Sequence, residues 1–174
     1  MALSNYERMI QLSDDVFSSR TDPDQLNVNE NVMEHLQLIH PDTMSEYDNG
    51  NGPVCWILCI PTTLDLMTKF VNQNISEKEL YDLTPLNTKY EAIYLCSALL
   101  LEEFRGQGIA TYMLRYGLEF MRQRGEDRIF ISCHHENEAS RRVIEKCGGE
   151  FAGLVVHPYD NDEPYRTYWI PTSA

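Results

Sequence analysis

Hydrophobic and polar positions in the second half of the chain alternate between strand-like runs and helical stripes. Residues 92–101 form a nearly continuous apolar run, which predicts a strand buried on both faces. After it, Ile109, Met113, Tyr116 and Phe120 recur at helical spacing, which predicts an amphipathic helix. The pattern then predicts a strand, a helix and two antiparallel strands, over 128–133, 137–147, 151–156 and 165–170.

The first half of the chain has more helical pattern and less strand. The apolar run from Val54 to Ile60, followed by Pro61, predicts one clear strand, and residues 48–53 ahead of it predict a loop. Ser76 and Glu79 have the spacing of a helix-opening capping box. Helices are therefore predicted over 4–17, from Asp22-Pro23 to a stop at Pro41, over 62–71 and over 76–82. The last two make a helical insertion at 62–84, ahead of the buried central strand.

The composition is typical of one soluble enzyme-sized domain. A chain of 174 residues can bury one substantial core but is short for two domains. It contains neither an apolar run of membrane-spanning length nor a secretory leader pattern, so no membrane association is expected. Its five cysteines lack C-x-x-C spacing and lie mostly in apolar runs. They predict buried, reduced thiols in a cytoplasmic protein rather than metal ligands or disulfides.

The net charge of −13 is unevenly distributed and disfavours nucleic-acid binding. Residues 1–90 carry a net charge of −9, whereas residues 105–146 hold 8 basic and 6 acidic side chains. A polyanionic cofactor would be attracted to the second segment, and a cationic amine to the first. The acidic surface would equally serve solubility alone, and the sequence leaves both explanations open.

The segment 105–110 joins the central strand to the amphipathic helix and suits a phosphate group. The first N–H groups of a helix lack intrahelical partners and carry partial positive charge. Gly106 and Gly108 let the backbone turn and a phosphate approach, and Arg105 adds a cation. A Walker-type Gly-Lys-Ser/Thr ending is absent, and Thr111 stands where a dinucleotide fingerprint has its third glycine. On spacing alone, a plain tight turn is an equal alternative.

Two blocks in this half resemble a known family. Arg105-x-x-Gly108-x-Ala110 resembles the R-x-x-G-x-G/A signature of the GNAT acyltransferase superfamily. Asn137-Glu138-Ala139-Ser140 resembles the family's N-x-x-A/S block, whose helix is closed by a Gly-Phe-like turn, here at 148–151. The resemblance covers roughly residues 90–170.

The resemblance implies a GNAT-like α/β fold with a central, splayed mixed sheet flanked by helices. It implies a single domain over 1–174, in which 1–89 form the acceptor-side half and 90–174 the acetyl-CoA-binding half. The helical insertion departs from the family pattern, which has two or more antiparallel strands before the central one and little helix between them. The insertion would either shape the acceptor pocket or cover a sheet edge.

The resemblance also implies how acetyl-CoA, the co-substrate, is held. Its pantetheine arm would add to the central strand as a pseudo-strand, along the backbone of Leu99, Leu100 and Leu101. Its pyrophosphate would accept from N–H groups of the turn. Asn137 and Ser140 would meet it from the other side of the cleft, although both also suit helix capping. The implied turn residues are Arg105, Gly106, Gln107, Gly108, Ile109 and Ala110.

By the same resemblance, the reaction is direct attack of an amine on the thioester in a ternary complex, without a metal. The amine, with a pKa near ~10, must first lose a proton. Many family members have a proton-donating tyrosine four residues after the position of Ser140, where this chain has Ile144. Substitute donors would be Tyr159, Tyr165 or Tyr168, and candidate bases are Glu91, His134 and His135.

Three functional interpretations follow. The first is an N-acetyltransferase acting on a small-molecule, N-terminal or lysine amine. The second is a catalytically silent CoA-binding or regulatory module, which the absence of the usual tyrosine supports. The third is a structural α/β domain whose glycine turn binds nothing. A homodimer is plausible from the family alone.

Overall fold

The computed structural model describes residues 3–17, 26–123, 128–134, 137–156 and 164–171. Six strands and six helices occur in these ranges, together with a 3-10 turn at Glu102–Phe104. The helices are α1 (Asn5–Phe17), α2 (Glu30–Ile39), α3 (Leu64–Val71), α4 (Glu77–Leu83), α5 (Ile109–Gln123) and α6 (Glu138–Lys146). The strands are β1 (Met44–Asp48), β2 (Pro53–Thr62), β3 (Ala92–Leu100), β4 (Arg128–His134), β5 (Glu150–Val156) and β6 (Pro164–Pro171).

The strands form one mixed sheet in the order β1-β2-β3-β4-β6-β5. Neighbouring strands are antiparallel except β3 and β4, which are parallel and connected through α5. The predicted mixed sheet is confirmed, as is the antiparallel pair that ends the described chain.

Helices cover both faces of this sheet. Successive residues of a strand point to opposite faces, and Ile93 and Tyr94 accordingly belong to different hydrophobic clusters. On the Tyr94 side the cluster is completed by apolar residues of α2, α3 and α4, and on the Ile93 side by those of α5 and α6. Helix α1 adds Met9 to a third cluster, beside the start of α5.

The helical insertion is confirmed and is part of the main core. Ser76 Oγ accepts the Glu79 N–H at 3.1 Å, and the Glu79 carboxylate accepts the Ser76 N–H at 2.8 Å, so the predicted capping box opens α4. Thr63 caps α3 with a single hydrogen bond, in which its Oγ1 accepts the Leu66 N–H at 3.3 Å. The buried residues Met67, Phe70 and Leu80 pack in the same cluster as Tyr94 of β3.

Three predictions in the first half are corrected. Helix α2 begins after Asn29, whose side chain accepts the Val32 N–H at 3.1 Å, and residues 26–29 are not helical. The predicted cap at Asp22-Pro23 lies outside the described residues. Strand β1 was not predicted, because five mostly exposed, largely polar residues at a sheet edge show no strand pattern.

The third correction concerns Pro61, which does not end β2. It pairs with Ile93 of β3 inside the strand. A proline is tolerated in a strand where its missing N–H is not needed by a neighbour. The last residue of β2 that pairs with β1 is Leu58, so Pro61 lies beyond the pairing on that side.

Among the described residues, none of the helices is both long and apolar enough to cross a lipid bilayer.

Candidate active site

The sheet opens between β3 and β4. In the described part of the chain, their parallel ladder consists of the single pair Tyr94↔Phe130, although β3 continues to Leu100 and β4 to His134. The two strands therefore separate toward their C-terminal ends and leave a wedge-shaped opening, which is the splay implied by the sequence resemblance.

A β-bulge lies beside the apex of this opening. Across the β2–β3 ladder, Leu58 is opposite Ser97, whereas the next residue, Cys59, is opposite Leu95. Cys96 is therefore the extra residue of the bulge. A bulge bends its strand and increases the local twist, which gives a physical reason for the divergence of β3 from β4 at this point.

The register also determines which backbone groups of β3 face the opening. The Leu101 N–H donates to the C=O of Val54 at 3.0 Å, so it points toward β2 and is not available to a ligand in the opening. Backbone groups alternate between the two sides of an antiparallel strand, so Leu99 also faces β2, while Ala98 and Leu100 face the opening. Of the three leucines predicted to hold the pantetheine arm, only Leu100 presents its backbone groups there.

The glycine turn stands at the wide end of the opening. Gly106 and Gly108 have φ angles of 76° and 82°, and a Cβ built on either would meet no atom within 4 Å. The Tyr112 N–H donates to the C=O of Gly108 at 2.9 Å, as the first bond of α5. The N–H groups of residues 108–111 consequently have no intrahelical acceptor. This open, positively polarised backbone is the geometry that a phosphate group needs.

Arg105 differs in part from its prediction. Its N–H donates to the C=O of Glu102 at 3.0 Å, so this group belongs to the 3-10 turn and is not available to a ligand. The residue is exposed beside the glycines. The neighbouring Gln107 side chain donates to the C=O of Glu103 at 2.9 Å, which braces the turn from within.

Helix α1 supports the same turn from outside. The guanidinium of Arg8 forms an ion pair with the carboxylate of Glu103. Hydrogen bonds from the backbone of Glu103 itself and from Arg8 lower the pKa of this carboxyl group. Because the Glu103 side chain is about half exposed, the pair orients the turn more than it stabilises the fold.

A cavity of about 620 Å³ adjoins the turn along the first half of α5. The rings of Tyr112 and Tyr116 stack with centroids 6.4 Å apart, and both side chains are largely exposed. Arg115 donates to the C=O of Lys146 at 3.3 Å, which connects α5 to the end of α6. The lining residues are Gly108, Thr111, Tyr112, Arg115, Tyr116 and Lys146.

The second block forms the start of α6. Asn137 is its N-cap, and the side-chain oxygen of Asn137 accepts the Ser140 N–H at 3.0 Å. The capping role that the residue types suggested is therefore confirmed. Contact of Asn137 and Ser140 with a cofactor stays a prediction.

The position of the usual tyrosine is buried. Ile144 is 3% exposed and packs in the same cluster as Tyr168, which is 1% exposed. The Tyr168 hydroxyl has no hydrogen-bond partner in the part of the chain that the structure describes, and burial raises its pKa. Tyr165 pairs with His134 across β4 and β6, and Tyr159 lies outside the described residues.

Of the candidate bases, Glu91 and the backbone of His134 lie away from the apex of the opening. Glu91 is exposed just before β3, and its carboxylate accepts the Leu64 N–H at 3.5 Å, at the start of α3. His134 ends β4, four residues beyond Phe130, or about 13 Å along the strand toward the glycine turn. Its side chain and the whole of His135 lie outside the described residues.

Sequence reasoning missed one acidic residue at the apex. Glu77 opens α4 and is 6% exposed. Its carboxylate accepts hydrogen bonds from the Tyr94 hydroxyl at 2.9 Å and from the Leu26 N–H at 3.1 Å. In sequence it resembles any acidic residue in a first helical turn, so only its burial reveals it. Within the described ranges, no group of histidine, cysteine and carboxylate side chains has a metal-binding arrangement.

Comparison with known proteins supports the family suggested by the sequence. Residues 75–149 match the model of the acetyltransferase (GNAT) family. N-alpha-acetyltransferase 30 of Schizosaccharomyces pombe is 34% identical over 55 residues, which cover 32% of this chain and 37% of that protein. The chain thus spans little more than a third of the length of this curated relative.

Solved structures share the fold across nearly the whole chain. The loading GNATL domain of CurA from Lyngbya majuscula superposes with a TM-score of 0.67 and 13% identity, covering 94% of each chain. A chain of the NatC complex bound to Gag peptide and CoA superposes with a TM-score of 0.63 and 16% identity, over 98% of this chain and 92% of that one. At these identities the likeness shows the fold.

Sheet order, splay, glycine turn and family match agree with one another. Residues 75–149 are similar to the GNAT acetyltransferase family, and nearly the whole chain has the fold of solved GNAT structures.

Proposed function

We propose that this protein is an acetyl-CoA-dependent N-acetyltransferase. The observation that carries the proposal is the continuity between two features. The opening between β3 and β4 begins at Tyr94↔Phe130, and its wide end meets the turn at Gly106 and Gly108. An extended arm with a pyrophosphate at one end suits this arrangement, because strand backbone and helix N–H groups recognise the two parts separately.

The residues present fit the proposed co-substrate. The space above Gly106 and Gly108 is empty where a Cβ would stand, and the N–H groups of residues 108–111 face no intrahelical acceptor. Leu100 and Ala98 would hold the arm. The cavity lined by Arg115 and Lys146 lies next to the turn and would take the nucleotide end.

The acceptor we propose is the α-amino group of a peptide. The relative from Schizosaccharomyces pombe is named an N-alpha-acetyltransferase, and one structural neighbour was solved with a peptide and CoA. The charge of −9 on residues 1–90 would attract the cationic amine of the acceptor. Small-molecule amines and lysine side chains are the alternative acceptors, and the activity test below includes both.

Bound acetyl-CoA supplies a thioester that a neutral amine can attack directly. The chain's part is to orient the two reactants, which by itself can contribute roughly 7–11 kcal/mol to lowering the barrier. Both must then be bound together, so initial-rate plots against the two substrates should intersect rather than run parallel. Parallel lines would overturn direct transfer.

The binding site is tested by calorimetric titration of acetyl-CoA. Gly108→Trp should weaken binding at least tenfold, about 1.4 kcal/mol, because the side chain would fill the turn. Gly50→Trp is the matched control, since Gly50 also has a positive φ angle, of 95°, and open space around it but lies in the β1–β2 loop. Equal affinity in wild type and Gly108→Trp would contradict the proposed site.

The activity is tested by thiol release with three amine classes. We expect turnover with heptapeptides that have free N-termini, and none with the same peptides after N-terminal acetylation. Peptides with a blocked N-terminus and an internal lysine, and polyamines, complete the panel. Tight binding of acetyl-CoA without turnover on any amine would instead favour a silent CoA-binding module, in keeping with the buried Ile144.

A further inference from the structure

Helix α4, in the helical insertion, places the buried carboxylate of Glu77 at the apex of the opening. Glu77 is 6% exposed, and its two oxygens face groups of β3 and of the segment before α2. One oxygen accepts from the Tyr94 hydroxyl at 2.9 Å. The other accepts from the Leu26 N–H at 3.1 Å and from the Cys96 thiol at 3.7 Å.

Two of these partners, Tyr94 and Cys96, define the apex. Tyr94 is the β3 residue that pairs with β4, and Cys96 is the extra residue of the bulge two positions later. Cys96 is only partly buried, whereas Glu77 and Tyr94 are buried. Of the side chains of Glu77, Tyr94 and Cys96, that of Cys96 is therefore the most accessible.

The cluster has the chemistry of a proton acceptor. The oxygens of a carboxylate can take up a proton, and the hydrogen bonds from Tyr94 and Cys96 hold the Glu77 carboxylate in a fixed position beside the thiol. Burial keeps bulk water from competing for it. The N–H proton that an attacking amine must lose requires such a destination, and neither Glu91 nor the backbone of His134 lies at the apex.

We propose that Glu77 is a positioning residue that receives the acceptor's proton through the Cys96 thiol. As the amine nitrogen forms its bond to the acyl carbon, its proton passes to Cys96 Sγ. The thiol's own proton passes at the same time to the Glu77 carboxylate, so Cys96 is neutral before and after. The tetrahedral adduct, in which the carbonyl electron pair has moved to oxygen, then collapses with cleavage of the thioester C–S bond. The CoA thiolate leaves and takes up a proton, which balances the one that Glu77 received. The step rests on the proposed function, but the coupling between carboxylate and thiol can be measured without it.

Other titratable groups surround the pair. Tyr81 of α4 and Tyr90 share the buried cluster of Tyr94. His35 of α2 packs edge-on against Tyr81, with ring centroids 5.1 Å apart. Lys78 follows Glu77 but pairs with Asp82 on the solvent side. Histidine is the residue type that ordinarily titrates near neutrality. The variant His35→Gln therefore shows how much of the pH dependence of the rate comes from His35.

The first test measures the coupling in the absence of any substrate. Alkylation of Cys96 by iodoacetamide is followed by mass spectrometry of its peptide as pH is raised. A neighbouring negative charge disfavours the thiolate, so Glu77→Gln should move the midpoint of alkylation to lower pH, by about one unit. An unchanged midpoint in a folded Glu77→Gln protein would overturn the relay.

The second test measures turnover with the free-N-terminus heptapeptides. Glu77→Gln and Cys96→Ala should lower kcat at least tenfold, the scale of lost general-base assistance, with KM nearly unchanged. Both should also remove from the acidic limb of the pH–rate profile the part that Glu77 contributes, leaving the part due to the acceptor's own α-amine, a change that a structural defect alone would not produce. Cys96→Ser, which keeps a hydrogen that can be relayed, should recover much of the rate.

Tyr94→Phe is the matched control. It removes a hydrogen bond from the same carboxylate but leaves the path through Cys96 intact, so its pH–rate profile should keep the acidic limb. If Tyr94→Phe, Glu77→Gln and Cys96→Ala all lower kcat equally with unaltered profiles, the cluster is structural and the relay is wrong. A wild-type protein that binds no acetyl-CoA would overturn the proposed function, whereas the alkylation midpoint would still decide the coupling.

Discussion

Gly149 closes helix α6 directly against Ile144. Its N–H donates to the C=O of Ile144 at 3.0 Å, and a Cβ on Gly149 would overlap Ile144 Cγ2 and stand 2.9 Å from the same carbonyl oxygen. The turn that follows α6 therefore holds Ile144 in the core. This relationship links the family's helix-closing glycine to the position at which the chain lacks the usual tyrosine.

Gly149→Ala should destabilise the protein by about 1–3 kcal/mol, because backbone as well as side-chain atoms would have to shift. Gly117→Ala is the matched control, since it lies within α5 and its Cβ would meet nothing within 4 Å. Replacing a helical glycine by alanine without a clash should stabilise by about 0.5–1 kcal/mol. Chemical denaturation measures both, and equal effects would contradict the close contact.

Ile144→Tyr should not restore a proton donor. Ile144 is 3% exposed and faces Ile131 and Tyr168 in a packed cluster. A larger side chain would overpack this core at a cost of about 1–3 kcal/mol. We expect a lower denaturation midpoint and no gain in the rate of thiol release; a faster enzyme would show that position 144 reaches the site.

Tyr168→Phe separates packing from catalysis at the last strand. Within the described residues the Tyr168 hydroxyl lacks a hydrogen-bond partner, and a buried hydroxyl without one costs about 1–3 kcal/mol. The phenylalanine variant should therefore be as stable as wild type or more so, by about 1 kcal/mol. We expect thiol release within about twofold of wild type, as for a packing residue. A large fall in kcat with stability retained would identify Tyr168 as the proton donor.

We expect the cavity beside the glycine turn to bind the nucleotide end of acetyl-CoA. Arg115→Ala and Lys146→Ala should each weaken acetyl-CoA binding several-fold, on the scale of one charge-assisted hydrogen bond. Neither should change the binding of acetyl-pantetheine, which lacks the nucleotide. Arg142→Ala serves as the control, because Arg142 is exposed and pairs with Glu138 outside this cavity. Equal losses for all three variants would indicate a general charge effect instead.

Stability should fall at alkaline pH because of a buried thiol. Burial raises the pKa of Cys55 from 9.0 to about 11. A raised pKa in the folded state stabilises the protein below the unfolded value, near 9, and this contribution is lost as pH rises toward 11. The loss should amount to about 2 kcal/mol between these limits.

Urea denaturation at pH 8, 9, 10 and 11 measures this slope. Cys55→Ala should be less stable than wild type at pH 8 but should lose less stability as pH rises. Tyrosine and lysine side chains titrate in both proteins, so the difference between the two slopes isolates Cys55. Parallel slopes would show that the thiol is not the cause.

Local patterns along the chain determined most of the secondary structure and the position of the glycine turn. The apolar run of β3, the helical stripe of α5 and the capping box at Ser76 each involve residues within a few positions of one another. Structure that depends on such near neighbours can be predicted from the sequence, because hydrophobic periodicity, helix caps and glycine positions indicate it directly. The paired GNAT motifs then supplied the fold class.

Tertiary structure alone decided how the apex of the opening is built. Strand β1 forms because it pairs with β2, and the bulge at Cys96 results from the register between β2 and β3. The buried carboxylate of Glu77 reaches a thiol 19 residues away in sequence. Such contacts depend on which distant surfaces pack together, and that choice is a property of the whole core that no local pattern specifies.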